Sequence, residues 1–151
     1  MTVRSLALTD PAVVAELVAL QRAAYRVEAD LIGADAIPAL TESEAQLAGS
    51  GETFLGGGED GLLAALSYVR TDGTVDIHRL VVHPEAFRRG LATALLDALE
   101  RAEPDAERWT VTTAAANAPA LALYAGRGFE RVEELVAPGG VAIVREVRSL
   151  R

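Results

Sequence analysis

From Val75 to Ala102 the chain reads VDIHRLVVHPEAFRRGLATALLDALERA, and few folds accommodate that stretch. An alternating, apolar-rich run (Val75, Ile77, Leu80 to Val82) predicts a strand. It stops at His83-Pro84, because proline has no N–H for a ladder and drives the residue before it toward extended geometry. Apolar residues return at Leu91, Ala94/Leu95, Ala98/Leu99 and Ala102, the spacing of a helix. Strand, short basic glycine turn, helix: this order aims unpaired backbone N–H groups and a helix dipole at one spot, where an anion is stabilised. Gly90 lets backbone approach the anion where a side chain would obstruct it, and Arg88 and Arg89 add charge at the rim. A phosphate-bearing ligand is therefore expected, against the alternative of an ordinary strand-to-helix turn with solvated arginines. The turn is neither the lysine-bearing P-loop nor G-x-G-x-x-G.

Composition narrows the classes. With 151 residues and 50% hydrophobic content, one domain over 1–151 with a sizeable core is expected. No apolar run is long enough to span a bilayer, and the opening MTVRSLALTD has no apolar h-region, so a cytoplasmic protein without membrane partners is expected. Cysteine is absent, which removes disulfides and thiolate metal sites. The imidazoles are His78 and His83 alone, so no metal is expected. A net charge of −8 argues against nucleic acid, which needs a basic face, and mildly favours cationic partners such as amines.

In chain order, Val3 to Leu8 reads as a strand. Asp10-Pro11 opens a helix whose apolar stripe is Val13, Leu17, Leu20, Ala24, Val27 and Leu31. Tyr25 and Glu28, three apart, share one flank of it. Gly33 to Leu40 is a loop, and Thr41-x-x-Glu44 reads as a capping box for a short helix ending near Gly49. Strands follow at Glu52 to Leu55 and Leu62 to Arg70, turning at Glu59-Asp60-Gly61, and Thr71-Asp72-Gly73 turns into the central strand. Gly56 to Gly58 reads as a strand end or bulge, since no helix follows it. Trp109 to Thr112 is a further strand. Asn117 caps a short helix that Gly128 stops, and Phe129 to Val136 with Val141 to Val147 close the chain as a hairpin.

Two segments resemble the GNAT superfamily of acetyl-CoA-dependent N-acetyltransferases. Val82-His83-Pro84 and Gly90-Leu91-Ala92 are similar to the family's strand end and pyrophosphate loop, [RQ]-x-x-G-x-[GA], with Phe87 standing where Arg or Gln is usual. Asn117, Ala120, Leu123, Tyr124, Gly128 and Phe129 match N-x-x-A-x-x-L-Y-x-x-x-G-F. The resemblance covers Val75 to the end. It implies an α/β (α+β) fold: a mixed, mostly antiparallel sheet of six to seven strands, splayed at its centre and flanked by about four helices. It implies a cofactor-binding set of Leu80, Val81, Val82, Phe87 through Thr93, Asn117 and Tyr124, with backbone groups of Leu80 to Val82 meeting the pantetheine amides and acetyl carbonyl. Tyr124 takes the role of general acid to the departing thiolate.

The chemistry needs such groups: an amine attacking a thioester must lose a proton, the oxyanion needs a preorganised donor, and the thiolate needs stabilising. For the base, strict alternation puts Asp76, His78, Leu80 and Val82 on one strand face, barring a bulge. The run D-I-H-R-L-V-V resembles the acceptor-holding segment of aminoglycoside-type acetyltransferases, so Asp76 ranks first, then Glu28, then His78, with a base acting through water, or no dedicated base, left open. The expected acceptor is a small-molecule or peptide amine, and a homodimer is left open. Two rivals stand beside this reading: a non-catalytic acyl-CoA sensor of the same fold, and a nucleotide-binding domain using the Arg-Arg-Gly turn for another diphosphate.

Overall fold

A computed structural model describes residues 2–33 and 41–149. The expected loop closing at Pro38 therefore lies mostly outside the described residues. The elements are β1 (Val3–Leu6), α1 (Pro11–Ile32), α2 (Glu44–Ala48), β2 (Thr53–Gly57), β3 (Ala64–Thr71) and β4 (Thr74–Val82). After a 3-10 turn at Pro84–Ala86 come α3 (Leu91–Ala102), β5 (Arg108–Ala114), α4 (Ala118–Gly126), β6 (Glu130–Val136) and β7 (Ala142–Ser149). The sheet order is β1-β2-β3-β4-β5-β7-β6. Every pairing is antiparallel except β4 with β5, whose parallel connection is carried by α3.

Each face of the sheet buries its own apolar cluster. On one side α1 and α2 set Val14, Leu17, Val18 and Leu47 against Phe54, Ala65 and Val81. On the other, Leu91, Leu95, Leu96 and Leu99 of α3 with Tyr124 of α4 cover Leu66, Val75, Ile77, Trp109 and Val111. The stripe expected along α1 departs from burial in its last turns, where Val27 and Leu31 are exposed.

Local corrections have physical causes. Asp10 caps α1 as expected, accepting from the Ala12 N–H at 3.0 Å. The capping box of α2 is Ser43 with Gln46, two residues beyond the Thr41/Glu44 pair; each side chain accepts from the other's backbone N–H, at 3.1 and 2.8 Å. β1 ends at Leu6 rather than Leu8. The triple glycine belongs partly to β2: a Cβ on Gly56 would sit 2.6 Å from Leu62 Cδ1, and one on Gly58 would sit 2.1 Å from the Gly61 carbonyl. Close packing accounts for Gly56 and Gly58.

The largest correction concerns β4. Its register against β3 shifts, Ser67 facing Arg79 and Tyr68 facing Ile77, so His78 is an extra residue. Side-chain parity reverses across this bulge. Leu80 and Val82 join Val75 and Ile77 on the α3 face, while Arg79 and Val81 turn toward α1. The expected single face of Asp76, His78, Leu80 and Val82 does not exist. Pairing of β4 with β5 ends at Ile77–Val111, the residue before the bulge. The central strands diverge from there.

Candidate active site

The divergence opens a cleft of about 110 Å³. Its floor is formed by Ile77 to Leu80 of β4 and Val111 to Ala114 of β5, its walls by Tyr25 and Glu28 of α1 and by Asn117, Ala120 and Tyr124 on the α4 side. Beyond Ile77 the β4 edge facing β5 has no ladder partner, so its peptide groups are free to meet a ligand.

The position of Tyr124 follows from how α4 ends. Arg127 is the C-cap and Gly128 takes φ +89°, a left-handed conformation that costs glycine little. The Phe129 N–H bonds the Tyr124 carbonyl at 3.0 Å and the Gly128 N–H bonds the Ala125 carbonyl at 3.1 Å, the two bonds of a Schellman cap. The accompanying apolar contact is Tyr124 against Phe129, ring centroids 5.3 Å apart and edge-on. The spacing Y-x-x-x-G-F is thus a helix stop that fixes the tyrosine ring. Tyr124 is buried, and its hydroxyl has no hydrogen bond among the described residues. Burial pushes that hydroxyl well above the ordinary phenol value, assisted by Tyr25, Glu146 and Glu28. It holds its proton at neutral pH.

Asn117 accepts from the Ala120 N–H at 3.3 Å, capping α4, and donates to Glu28 Oε1 at 3.2 Å, tying α4 to α1 across the cleft. Burial raises the Glu28 carboxyl, with the Asn117 bond pulling the other way. Glu28 and His78 therefore line the cleft, and Asp76 stands behind: its Oδ2 lies 3.0 Å from His78 Nε2, and its Oδ1 accepts from Thr110 Oγ1 at 2.5 Å.

Past the C-terminal end of β4 lies the basic turn. Gly90 takes φ +74° and Arg88 φ +64°, so two left-handed residues bracket Arg89. Such alternation turns backbone N–H groups into a concavity that suits anions. Nothing lies within 4 Å of a Cβ built on Gly90, and no side chain caps α3, unlike α1, α2 and α4. The N–H groups of Leu91, Ala92 and Thr93 thus keep their donors, while the Leu91 side chain is buried in the core. Phe87, Arg88 and Arg89 are exposed.

Two buried charges escaped the sequence reading. Arg79 donates to Glu42 (2.5 and 3.0 Å), to Glu52 (2.8 and 2.9 Å) and to Gln21 Oε1 (2.6 Å), with its guanidinium 5.5 Å from the Phe54 ring centroid. Burial alone would raise Glu42 and Glu52, but the Arg79 bonds override it and hold both below the ordinary carboxylate range. An arginine inside an alternating apolar run was the available signal.

Glu146, on β7 opposite Val111, is 5% exposed, and its Oε1 has no partner among the described residues. Burial raises its carboxyl, with Arg131 opposing. A folded-state value above the unfolded one means the fold prefers the protonated form, so a penalty appears as pH rises through that value. Glu146→Gln is accordingly expected to stabilise the protein at pH 8, where it removes the desolvation cost of a buried charge, and to add little at pH 4. Paired urea titrations at the two pH values check this; an equal gain at both would remove charge as the cause.

The chain matches the acetyltransferase (GNAT) family over residues 15–129. It is 40% identical over 129 residues to the UPF0157 protein YqkA of Bacillus subtilis (strain 168), covering 85% of this chain and 38% of that protein, so it spans well under half the relative's length. Among solved structures it is similar to the ribosomal-protein-S18-alanine N-acetyltransferase of Escherichia coli (TM-score 0.77, 19% identity, 99% of this chain and 93% of that one). It is likewise similar to the PaiA N-acetyltransferase of Thermoplasma acidophilum in complex with coenzyme A (TM-score 0.78, 16% identity, 95% and 96%). A third likeness is to an aminoglycoside 6'-N-acetyltransferase complexed with coenzyme A (TM-score 0.76, 12% identity, 100% and 98%). At these identities the structural likeness speaks for the fold, and the match over residues 15–129 carries the assignment: this chain belongs to the acetyltransferase (GNAT) family of acyltransferases.

Proposed function

We propose that the chain transfers an acetyl group from acetyl-CoA to a primary amine, by direct attack of the amine in the cleft between β4 and β5. The observation that carries this reading is the cleft itself, with an uncapped helix N-terminus beyond one end of β4 and a protonated, unpartnered phenol within it. The residues present fit acetyl-CoA. The open space at Gly90 and the free N–H groups of Leu91 to Thr93 suit a pyrophosphate, and the unpaired β4 edge at Leu80 to Val82 suits the amides of the pantetheine arm. Acetyl-CoA supplies an activated acetyl group. The chain's residues supply the rest: the β4 edge orients the carbonyl, Tyr124 donates a hydrogen bond to the departing sulfur, and Glu28 receives the amine.

Glu28 suits that role because it faces the cleft and its raised carboxyl brings it closer to neutrality, where a base is more effective. His78, held by Asp76, stands beside it as a second polar wall. The acceptor class is a small-molecule or peptide amine, drawn toward a chain of net charge −8.

The test is release of the CoA thiol from acetyl-CoA across a panel of amino sugars, polyamines, amino acids and peptides, with Glu28→Gln in parallel. Because only the ionised carboxylate accepts a proton, wild-type turnover should fall as pH drops through the raised Glu28 value. The variant should lose that limb and at least about ten-fold in turnover, at the low end for general base catalysis. Unchanged turnover and limb would remove Glu28 from the base role. No acetyl-CoA binding and no thiol release with any amine would end the reading.

A further inference from the structure

Seven aromatic residues occur in this chain, three Phe, three Tyr and one Trp. Phe54, Tyr68, Trp109, Tyr124 and Phe129 are each 6% exposed or less, and Tyr25 is half-buried in the cleft wall. Phe87 alone is exposed, at 48%. The turn that precedes it is held by hydrogen bonds and burial. The His83 N–H bonds the Leu63 carbonyl at 2.7 Å, His83 Nδ1 accepts from the Glu85 N–H at 3.1 Å, and Ala86 is buried at 1%. The chain leaves this pinned turn extended at Phe87 (φ −60°, ψ 150°), then enters the left-handed Arg88.

Phe87 therefore projects into solvent three residues from the open cradle at Gly90. Two arginines follow it: Arg88 has no hydrogen bond or ion pair among the described residues, and Arg89 meets just the Glu85 carbonyl at 3.3 Å. In a chain of net charge −8, an uncommitted cationic pair, an anion cradle and a bare aromatic ring gathered within four residues describe the two halves of a nucleotide. Backbone N–H groups and arginines take phosphates, and an aromatic face takes a base by stacking.

We propose that Phe87 is the stacking platform for the adenine ring of CoA, so that this turn holds the base where a polar side chain at the same position would hold a phosphate. The assignment rests on the acetyl-CoA reading above. It gives the exposed ring a physical role, since base–aromatic stacking draws affinity from ring area that would otherwise remain against water.

The experiment truncates both partners. Calorimetry measures CoA and 4′-phosphopantetheine, which lacks the nucleotide, against the wild type, Phe87→Ala and Phe87→Trp. Phe87→Ala should weaken CoA about ten-fold, equivalent to about 1.4 kcal/mol and within the range for stacking on one base. It should leave phosphopantetheine within about two-fold, and Phe87→Trp should keep CoA near wild type. Equal losses for both ligands would mean that the ring shapes the loop or touches the pantetheine arm, and the proposal falls. Unchanged CoA affinity in Phe87→Ala also overturns it, while leaving the acetyl-CoA reading intact. A wild type that binds neither ligand overturns both. Melting temperature serves as the folding control, because an exposed ring contributes little to the core.

Discussion

Replacing Arg79 by methionine is expected to destabilise the protein by about 3–5 kcal/mol at neutral pH, the cost of removing one partner from a buried ion pair. That is a large share of the roughly 5–15 kcal/mol that holds a typical domain together. The side chains of Arg79, Glu42 and Glu52 are 12%, 16% and 8% exposed, so this is no solvated surface pair of the sort that contributes little. Without the guanidinium two desolvated carboxylates face each other, helped by Gln21, Ser67 and a histidine 3.8 Å from Glu52.

The pH dependence has a definite sign. In the wild type both carboxylates are depressed, so their contribution is present above about 4.5 and is lost as pH falls through the lowered values. In Arg79→Met burial is opposed by just the Gln21, Ser67 and His78 contacts, so the carboxylates rise and acidification relieves the variant. The gap between the two proteins should therefore narrow from pH 7 to pH 4 in urea titrations. A gap of less than about 1 kcal/mol at pH 7, or one that does not narrow, would show that the network does not hold the fold. The position matters for function too, since Arg79 follows the bulged His78 and ties β4 to α1, to the residue before β2 and to Glu42.

Tyr124→Phe is expected to lower turnover by about 10²-fold while moving acetyl-CoA affinity less than about three-fold. The variant deletes one oxygen and keeps the ring that packs edge-on against Phe129, so the helix cap and the cleft should survive. Burial raises the Tyr124 hydroxyl above the ordinary phenol value near 10, already weaker as an acid than a thiol near 8.5. Full transfer of its proton to a thiolate is therefore uphill, and the main contribution is a hydrogen bond that strengthens as charge develops on sulfur. Single-turnover kinetics with calorimetry separate the effects. A matched fall in rate and affinity would make the hydroxyl a binding contact; no fall in either would take Tyr124 out of the mechanism.

Much of this architecture is written in local patterns. The strand–turn–helix at Val75 to Ala102, the Asp10-Pro11 and Asn117 caps and the terminal hairpin follow from periodicity, proline and capping chemistry, each acting over a few residues. The N-x-x-A-x-x-L-Y-x-x-x-G-F spacing belongs to the same class, because a Schellman cap is a local object that needs glycine at one position and an apolar residue after it. Tyr25 and Glu28 were legible as one helix flank, and the structure sets that flank on the cleft.

Tertiary structure decided the rest. A bulge is a mismatch between two strands, so nothing within D-I-H-R-L-V-V announces that His78 is the extra residue. That one insertion reversed the side-chain parity of β4. It turned Leu80 and Val82 to the α3 face and Arg79 toward carboxylates 37 and 27 positions away in the chain. The resemblance of D-I-H-R-L-V-V ranks Asp76 first; the folded chain brings Glu28 and His78 to the cleft and leaves Asp76 behind the imidazole. Glu146 gave no sign in its strand, because a carboxylate next to Arg145 and two residues from Arg148 reads as outward-facing until the sheet order places β7 between β5 and β6. Periodicity within a strand says that two faces exist; which of them is buried depends on strands and helices far away in sequence.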